Sequence, residues 1–163
     1  MKKIIIAMML VLPMVASAQK FGHVNTQEIV PLMAEYKTMM AKLDSASSQL
    51  ERELAAYQEE FQRKYQDFQA QEATMSPAMK QARYEELQEM DNRIMTFRQT
   101  AMQDLEQKQQ QFFIPVNDKL NAAIKAVGEK EGFTYIFNAA TLSYIATGAT
   151  DVTPAVKKEL GIK

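Results

Sequence analysis

The 163-residue chain has no cysteine, no tryptophan and a single histidine, His23. Without cysteine it can form no disulfide bond, so packing or oligomerisation must hold its fold together. A histidine with no second histidine or cysteine to join it argues against a zinc site, and we assign His23 to an ordinary strand. The sequence also has no nucleotide-binding loop and no histidine-centred triad. It therefore predicts neither an enzyme nor a bound cofactor or metal.

The first eighteen residues have the form of a secretory signal peptide. Two lysines precede the apolar run IIIAMMLVLPMV, and residues 16–18 (ASA) give the small-residue cleavage pattern. The run is shorter than the roughly 20 apolar residues of a membrane-spanning helix, and Pro13 interrupts it. We therefore predict that residues 1–18 direct export and are removed by cleavage after Ala18.

The exported chain is weakly acidic. Removal of the two lysines of the leader from the 19 basic residues leaves 17, against 20 acidic residues, which gives a net charge of −3. The basic residues do not form the clustered patch that binding to DNA or RNA requires. We predict no nucleic-acid partner.

Residues 43–112 contain no glycine and only one proline, Pro77, and are rich in strong helix formers. Apolar residues recur there at the alternating three- and four-residue spacings of a coiled coil, on both sides of the proline. A line this narrow can bury itself only against one partner helix. The main positions of this hydrophobic seam are Leu50, Leu54, Tyr57 and Phe61 before the proline, and Met90, Ile94 and Phe97 after it. A low-bulk stretch, Ser45 to Ser48, lies in the first helix and predicts flexibility near the root of the arm.

The Ser76-Pro77 pair predicts where the first helix ends and a second one begins. Serine is a preferred helix N-cap, and proline is tolerated at the first helical position, where no hydrogen bond is lost. We therefore predict an arm, residues 43–112, made of two antiparallel helices with its tip near residues 74–78 (Met75, Ser76 and Pro77). Pairing residues whose numbers sum to about 151 sets Tyr57 against Ile94. The alternative is one continuous, kinked helix.

The flanking sequences predict a small body, residues 19–42 and 113–163, so the fold class is α+β. The stretch NTQE (residues 25–28) is close to a capping box after a first strand. On the C-terminal side, Pro115 marks a helix kink or restart, and Gly132 ends that helix. The remaining elements are two strands, FTYIFN (133–138) and LSYIAT (142–147), joined as a hairpin, and a last helix opened by Thr153-Pro154.

The aromatic content of the two C-terminal strands exceeds what a sheet with one wet face needs. A small body without disulfides also needs another source of stability, commonly oligomerisation. We predict that the body assembles with copies of itself through its strands, at Val24, Tyr135, Phe137 and Tyr144.

The order of these elements resembles the Skp (OmpH-like) family of periplasmic chaperones. The resemblance is carried by FGHVNTQEIVPLMAEYK (21–37) and by GFTYIFNAATLSYIATGATDVTPAVKKEL (132–160), in which Tyr144 is followed by Asp151-Val152-Thr153. It implies a periplasmic homotrimer whose three arms enclose a cavity. Unfolded outer-membrane β-barrel proteins would be held there without ATP. The alternative is a structural coiled-coil spacer that tethers envelope components.

The charge of the arm departs from the family pattern. The resemblance attributes to a strongly basic chain a role in holding acidic clients and lipopolysaccharide, whereas residues 43–112 carry 8 basic and 13 acidic residues, a net charge of −5. This acid excess argues against contact with a membrane surface or lipopolysaccharide. Client binding would then depend on apolar contacts, and the eight methionines between Met33 and Met102 are candidates for an adaptable surface. The other interpretation is that most of them belong to the seam.

Overall fold

The computed structural model describes residues 19–162, so the predicted signal peptide lies outside the described residues. Two long helices form most of the molecule, and short elements of both chain ends form the body. In chain order the elements are β1 (Phe21–Val24), α1 (Thr26–Ile29) with a 3-10 turn (Val30–Leu32), α2 (Ala34–Gln71), α3 (Pro77–Glu131), β2 (Tyr135–Asn138), β3 (Thr150–Asp151) and α4 (Thr153–Glu159).

The long helices meet at the predicted turning point. A 3-10 turn, Glu72–Thr74, follows α2, and the hydroxyl of Ser76 then accepts a hydrogen bond from the Met79 amide at 3.3 Å. Pro77 is the first residue of α3. The predicted helix start is confirmed, and the alternative of one continuous helix is wrong.

The second long helix returns along the first. With 38 and 55 residues, α2 and α3 are about 57 Å and 82 Å long at 1.5 Å per residue. Residue numbers rise along one helix as those of their contact partners fall along the other. The contacts that show this are Glu35 with Lys119, Tyr57 with Phe97, and Lys64 with Glu86.

Of the kink or restart predicted at Pro115, the restart is wrong, because α3 continues through this residue without a break. Proline has no amide hydrogen, so the helix loses one internal hydrogen bond there, at a cost of about 3 kcal/mol. The residues that follow offset this loss by packing into the core. Val116 is fully buried, and Leu120 and Val127 are nearly so. The predicted end of the helix is confirmed: Gly132 has a left-handed φ of 70° and donates its amide to the Gly128 carbonyl.

The sheet is parallel throughout, with strand order β2-β1-β3. Parallel neighbours need a long crossover connection, and here α1, α2 and α3 together form the crossover from β1 to β2. In the register, Phe21 faces Tyr135 and His23 faces Phe137 on one side of β1. On the other side His23 faces Asp151.

The predicted hairpin of FTYIFN and LSYIAT is therefore wrong. The first of these strands exists as β2, but residues 142–147 form no strand. The Asn138 side chain accepts a hydrogen bond from the Ala140 amide at 3.1 Å, and Thr141 donates to the Asn138 carbonyl. These bonds turn the chain into a short 3-10 helix away from the sheet. Thr150–Asp151 then takes the free edge of β1.

The core of the body lies between the sheet and the helices. Ile29, Val116 and Val156 are fully buried at its centre. Gly22 allows the sheet to approach this core, because a Cβ there would lie 2.8 Å from the Phe133 ring. The buried members of the cluster are Val24, Ile29, Met33, Met39, Val116, Leu120, Ala123, Val127, Val152 and Val156.

A hydrogen bond joins the end of β1 to α4. The Asn25 amide donates to the hydroxyl of Thr153 at 2.8 Å, and Thr153 is the one buried polar residue in the described chain. The predicted capping box is altered by this bond. Glu28 does not bind the Asn25 amide but accepts from the Asn25 side chain at 2.8 Å. Asn25 still caps α1, through a bond from the Gln27 amide.

Candidate functional site

An aromatic patch covers the open face of the sheet. It consists of Phe21, Tyr135 and Phe137, which β1 and β2 place side by side through their parallel register. Their ring centroids lie 5.9 to 6.3 Å apart and the rings are stacked, yet each residue remains 43 to 54% exposed. Stacked rings with this much exposed apolar area are typical of a surface that meets another molecule.

The other two residues predicted for self-assembly lie in very different places. Tyr144 is 81% exposed in the irregular segment between β2 and β3, and it borders a cleft that also reaches Phe21 and Phe137. Val24 is only 2% exposed and belongs to the core of its own chain. Tyr144 therefore extends the aromatic patch, whereas Val24 is not available at a surface.

The predicted seam residues face the space between α2 and α3. Ile94 is buried and the other six are half-buried, while most of their neighbours in sequence are exposed. Tyr57 meets Phe97 edge-on with ring centroids 5.2 Å apart. Phe97 lies three residues, or about one turn, from Ile94, the partner predicted for Tyr57. The seven residues concerned are Leu50, Leu54, Tyr57, Phe61, Met90, Ile94 and Phe97.

The tip residues serve the turn itself. The Met75 amide donates to the Glu72 carbonyl at 3.3 Å, which ends the 3-10 turn. Ser76 caps α3 and Pro77 opens it. Met75 is half-buried and the other two are exposed.

Successive seam residues of a coiled coil lie three or four residues apart. The seam of α2 is interrupted at two places, where the next seam residue comes only seven residues later and one seam position between them holds no large apolar residue. The first interruption lies between Leu43 and Leu50, where the skipped position falls on Ala46 and Ser47. These small side chains leave the facing part of α3 uncovered, and a groove of about 980 Å³ opens there. We call it the proximal groove. Its apolar lining is Met40, Leu43, Met95, Met102 and Leu105, and its charged residues are Asp44, Arg98 and Glu106.

At the second interruption, between Phe61 and Phe68, charged side chains fill the gap in the seam. Lys64 occupies the skipped position and pairs with Glu86 of α3, and Arg83 donates to the same carboxylate at 2.7 Å. These hydrogen bonds, from Lys64 first and then Arg83, hold the pKa of the Glu86 carboxyl below its usual value. An ion-pair cluster near the tip thus replaces the apolar contact of the seam.

Two further carboxylates accept hydrogen bonds from other residues of the body. A hydrogen bond from Lys119 of α3 lowers the pKa of Glu35 at the start of α2. Burial raises the pKa of Asp151, but hydrogen bonds from Thr153 and the nearby charges of His23 and Lys157 outweigh it, so that pKa is also lowered. Both carboxylates are ionised at neutral pH and act as structural acceptors.

Catalytic chemistry finds little support in this arrangement. Across residues 19–162, no group of three or more histidine, cysteine, aspartate or glutamate side chains is placed to hold a metal ion. No helix within the same residues is long and apolar enough to cross a membrane. The distinctive surfaces are apolar and open, which suits binding of another polypeptide.

Comparison with known proteins identifies the family. Residues 20–160 match the family model described as "Outer membrane protein (OmpH-like)". The chain belongs to the OmpH-like family. This is a family of chaperones and not of enzymes, so the predicted family and the predicted absence of enzyme activity are confirmed.

The OmpH-like assignment agrees with two relatives. The chain is 26% identical over 146 residues to the protein named "Chaperone protein Skp" of Pectobacterium atrosepticum, which covers 90% of this chain and 88% of that protein. A solved OmpH-like protein of Caulobacter crescentus superposes with a TM-score of 0.77 at 19% identity, covering 87% of this chain and 83% of that one. The second likeness shows that the fold, a long helical arm on a small strand body, is that of an OmpH-like protein.

Some features of this OmpH-like chain escape sequence reasoning. The pairing of β1 with Thr150–Asp151 and the ion pair of Glu35 with Lys119 join residues far apart in sequence, and no local pattern indicates them. The proximal groove did leave a signal. A skipped seam position occupied by Ala46 and Ser47 indicates that the two helices do not fill the space between them there.

Proposed function

We propose that this chain is an ATP-independent holdase chaperone of the periplasm. It binds unfolded outer-membrane proteins in a cavity between the arms of a homotrimer and prevents their aggregation. The observation that carries this proposal is the match of residues 20–160, nearly the whole exported chain, to the OmpH-like family, supported by a relative named as a chaperone that is similar over 90% of this chain. The signal-peptide pattern of residues 1–18, with cleavage after Ala18, supports export to the periplasm.

Self-assembly through the body is supported by what a single chain leaves uncovered. Phe21, Tyr135 and Phe137 keep about half of their surface exposed, and Tyr144 keeps most of its surface exposed. The sheet also ends in two short edge strands, β2 and β3, whose outer backbone groups have no strand neighbour among residues 19–162. A trimer that covers these rings and edges would add apolar burial to the small core of one body.

The division of labour follows from the two parts. The body, residues 19–42 and 113–163, would form the trimer, and the arm, residues 43–112, would act as an antiparallel coiled-coil hairpin that surrounds the client. The acid excess of the arm supports apolar contacts with the client and argues against binding of lipopolysaccharide or another anionic lipid surface. No nucleic acid is expected as a partner.

A structural spacer is the second candidate, because the narrow seam is what a coiled-coil tether needs. The two functions are separated by diluting a urea-unfolded outer-membrane β-barrel protein into buffer with and without the chain, in the absence of ATP. A holdase suppresses the rise in light scattering and forms a soluble complex whose mass equals one trimer plus client. Unchanged scattering together with no complex would reject the chaperone and favour the spacer.

A further inference from the structure

The proximal groove has a volume of about 980 Å³ and lies in the half of the arm next to the body. On the α2 side the lining residues are Met40, Leu43, Asp44 and Ser47, and they leave the methionines of α3 largely uncovered. Met95 is 57% exposed and Met102 is 73% exposed, and both line the groove. Neither residue is needed to close the helix pair, since each leaves most of its surface in water.

We propose that the proximal groove docks an extended apolar segment of an unfolded client, with a preference for segments that carry net positive charge. This inference rests on the proposed chaperone function and deepens it by naming a surface and a class of segment. It differs from capture of acidic clients by basic arms.

The shape and chemistry of the groove suit an extended chain. From Met95 to Gln109 the lining of α3 spans about 21 Å at 1.5 Å per residue, which matches about six residues of extended chain at 3.3 Å per residue. Methionine is unbranched and polarizable, so it adapts to different apolar side chains without a fixed partner shape. A groove lined by Met40, Met95 and Met102 can therefore accept many sequences.

The charge preference follows from the unequal pairing of charges in the arm. Residues 43–112 carry 13 acidic and 8 basic side chains. Ion pairs within the arm use three of the acids (Glu86, Glu89, Asp104) and four of the bases (Lys64, Arg83, Arg93, Lys108). Ten acids remain against four bases. The groove itself follows this excess, because Asp44 and Glu106 line it with one base, Arg98. The arm thus presents a negative potential to an approaching segment.

The direct test is binding of two labelled peptides to the purified chain, measured by fluorescence anisotropy. Both peptides alternate Val and Leu with Ser, one with lysine at both ends and the other with glutamate. We expect the lysine peptide to bind about tenfold more tightly at low salt, with the difference shrinking as salt screens the arm. Equal binding, or tighter binding of the glutamate peptide, would overturn the charge preference.

Substitutions locate the site. Met95→Gln with Met102→Gln keeps side-chain length and helix propensity but removes apolar surface, and we expect the lysine peptide to bind at least about tenfold more weakly. The matched control is Met79→Gln, a methionine of similar exposure (54%) near the tip and outside the groove. Its affinity should stay within about twofold of the unsubstituted chain. If the double variant binds as well as this control, the groove is not the site.

A second pair of variants tests the groove from the α2 side. Ser47→Leu places an apolar side chain in the gap, so we expect it to fill the groove and weaken peptide binding without loss of helix. Ser45→Leu makes the same change on an exposed position that does not line the groove. It should leave binding unchanged. Equal peptide affinity of the Ser47 and Ser45 variants, with helix content retained, would also overturn the proposal.

The same variants separate this proposal from the chaperone function on which it rests. Aggregation of a urea-diluted β-barrel protein is measured with each variant beside the unsubstituted chain. If the unsubstituted chain suppresses aggregation and the groove variants do so equally, with unchanged peptide affinity, the chaperone proposal stands and the groove proposal fails. If the unsubstituted chain suppresses nothing, the chaperone proposal itself fails, and loss of peptide binding in the groove variants still reports on the groove.

Discussion

The body and the arm of this chain are held together by different kinds of packing. Ten of the twelve buried apolar residues in the described chain form one cluster in the body, and only Leu87 and Ile94 are buried in the arm. The body is closed on several sides by the sheet, α1, α4 and the end of α3. The arm is closed along one line between two helices. A defect in the body therefore reaches the whole cluster, whereas a defect in the arm removes contacts along that one line only.

The largest effect is expected when charged side chains are placed inside the seam of the arm. In the double variant Leu54→Asp and Phe97→Asp, we expect most of the helix signal of the arm to be lost, because two carboxylates would enter a line that two helices share. Far-UV circular dichroism measures the loss, and sedimentation measures the assembled mass. The body should still assemble, since none of its contacts changes.

The matched control for that variant is Ala56→Asp with Thr96→Asp, which adds the same charge to exposed positions in the same turns. It should keep its helix signal. Loss of the oligomer in the seam variant would contradict a body that folds and assembles independently of the arm.

A pair of isoleucines tests the contrast at a smaller scale. Ile29 is fully buried in the body cluster, and Ile94 is buried in the arm. Ile29→Ala should lower the free energy of unfolding by about 2–5 kcal/mol, because the cavity lies in a core that cannot collapse. Ile94→Ala should cost less, at the lower end of that range, since two helices can move together or admit water. Urea denaturation followed by circular dichroism measures both losses. Equal losses would show that the arm is packed as tightly as the body.

The buried hydroxyl of Thr153 gives the next effect. Thr153→Val keeps the shape but removes the acceptor for the Asn25 amide, and leaving that donor unpaired costs about 1–3 kcal/mol. Thr134→Val, at an exposed position of the body, should change stability by less than about 0.5 kcal/mol. Thermal melts of both variants are compared, and a tolerated Thr153→Val would show that this bond is not needed to join β1 to α4.

The smallest effect concerns the ion pairs at the second interruption of the seam, where Lys64 and Arg83 pair with Glu86. The folded chain lowers the pKa of Glu86, so this carboxylate stabilises the arm above the unfolded pKa of about 4.3 and loses its contribution as the pH falls through the folded value. Glu86→Gln should cost less than about 1 kcal/mol at neutral pH, because the pair is a third exposed. Melting temperatures of variant and parent should converge as the pH falls below the folded pKa of Glu86. A difference that persisted in acid would assign the effect to packing instead.

Local signals predicted the parts of the fold that depend on a few neighbouring residues. A helix start at Ser76-Pro77 and a helix end at Gly132 are set by capping and by a left-handed φ, and both lie where the sequence indicates. The seam of the arm was visible because its period is fixed by the helix itself. The long helical arm on a small strand body could therefore be predicted.

Contacts between distant residues explain what could not be predicted. Residues 142–147 have the composition of a strand, but they do not pair with β2, because hydrogen bonds of Ala140 and Thr141 to Asn138 turn the chain away from the sheet first. Pro115 would end an isolated helix, and only the burial of Val116 and its successors in the body keeps α3 continuous. Val24 was predicted for assembly from its strand position, yet the same strand turns it into the core.

The two helices of the arm join the body differently. α3 crosses Pro115 and continues to Glu131, so one helix runs without a break from the arm into the core of the body. α2 begins only after Met33, whose backbone is extended (φ −67°, ψ 138°). The arm is therefore joined to the body by one continuous helix, α3, and by one non-helical residue, Met33, before α2. The hydrogen bond missing at Pro115 makes α3 easier to bend where the arm meets the body. We expect the arm to tilt about this root as a rigid rod, which would alter its reach without melting either helix.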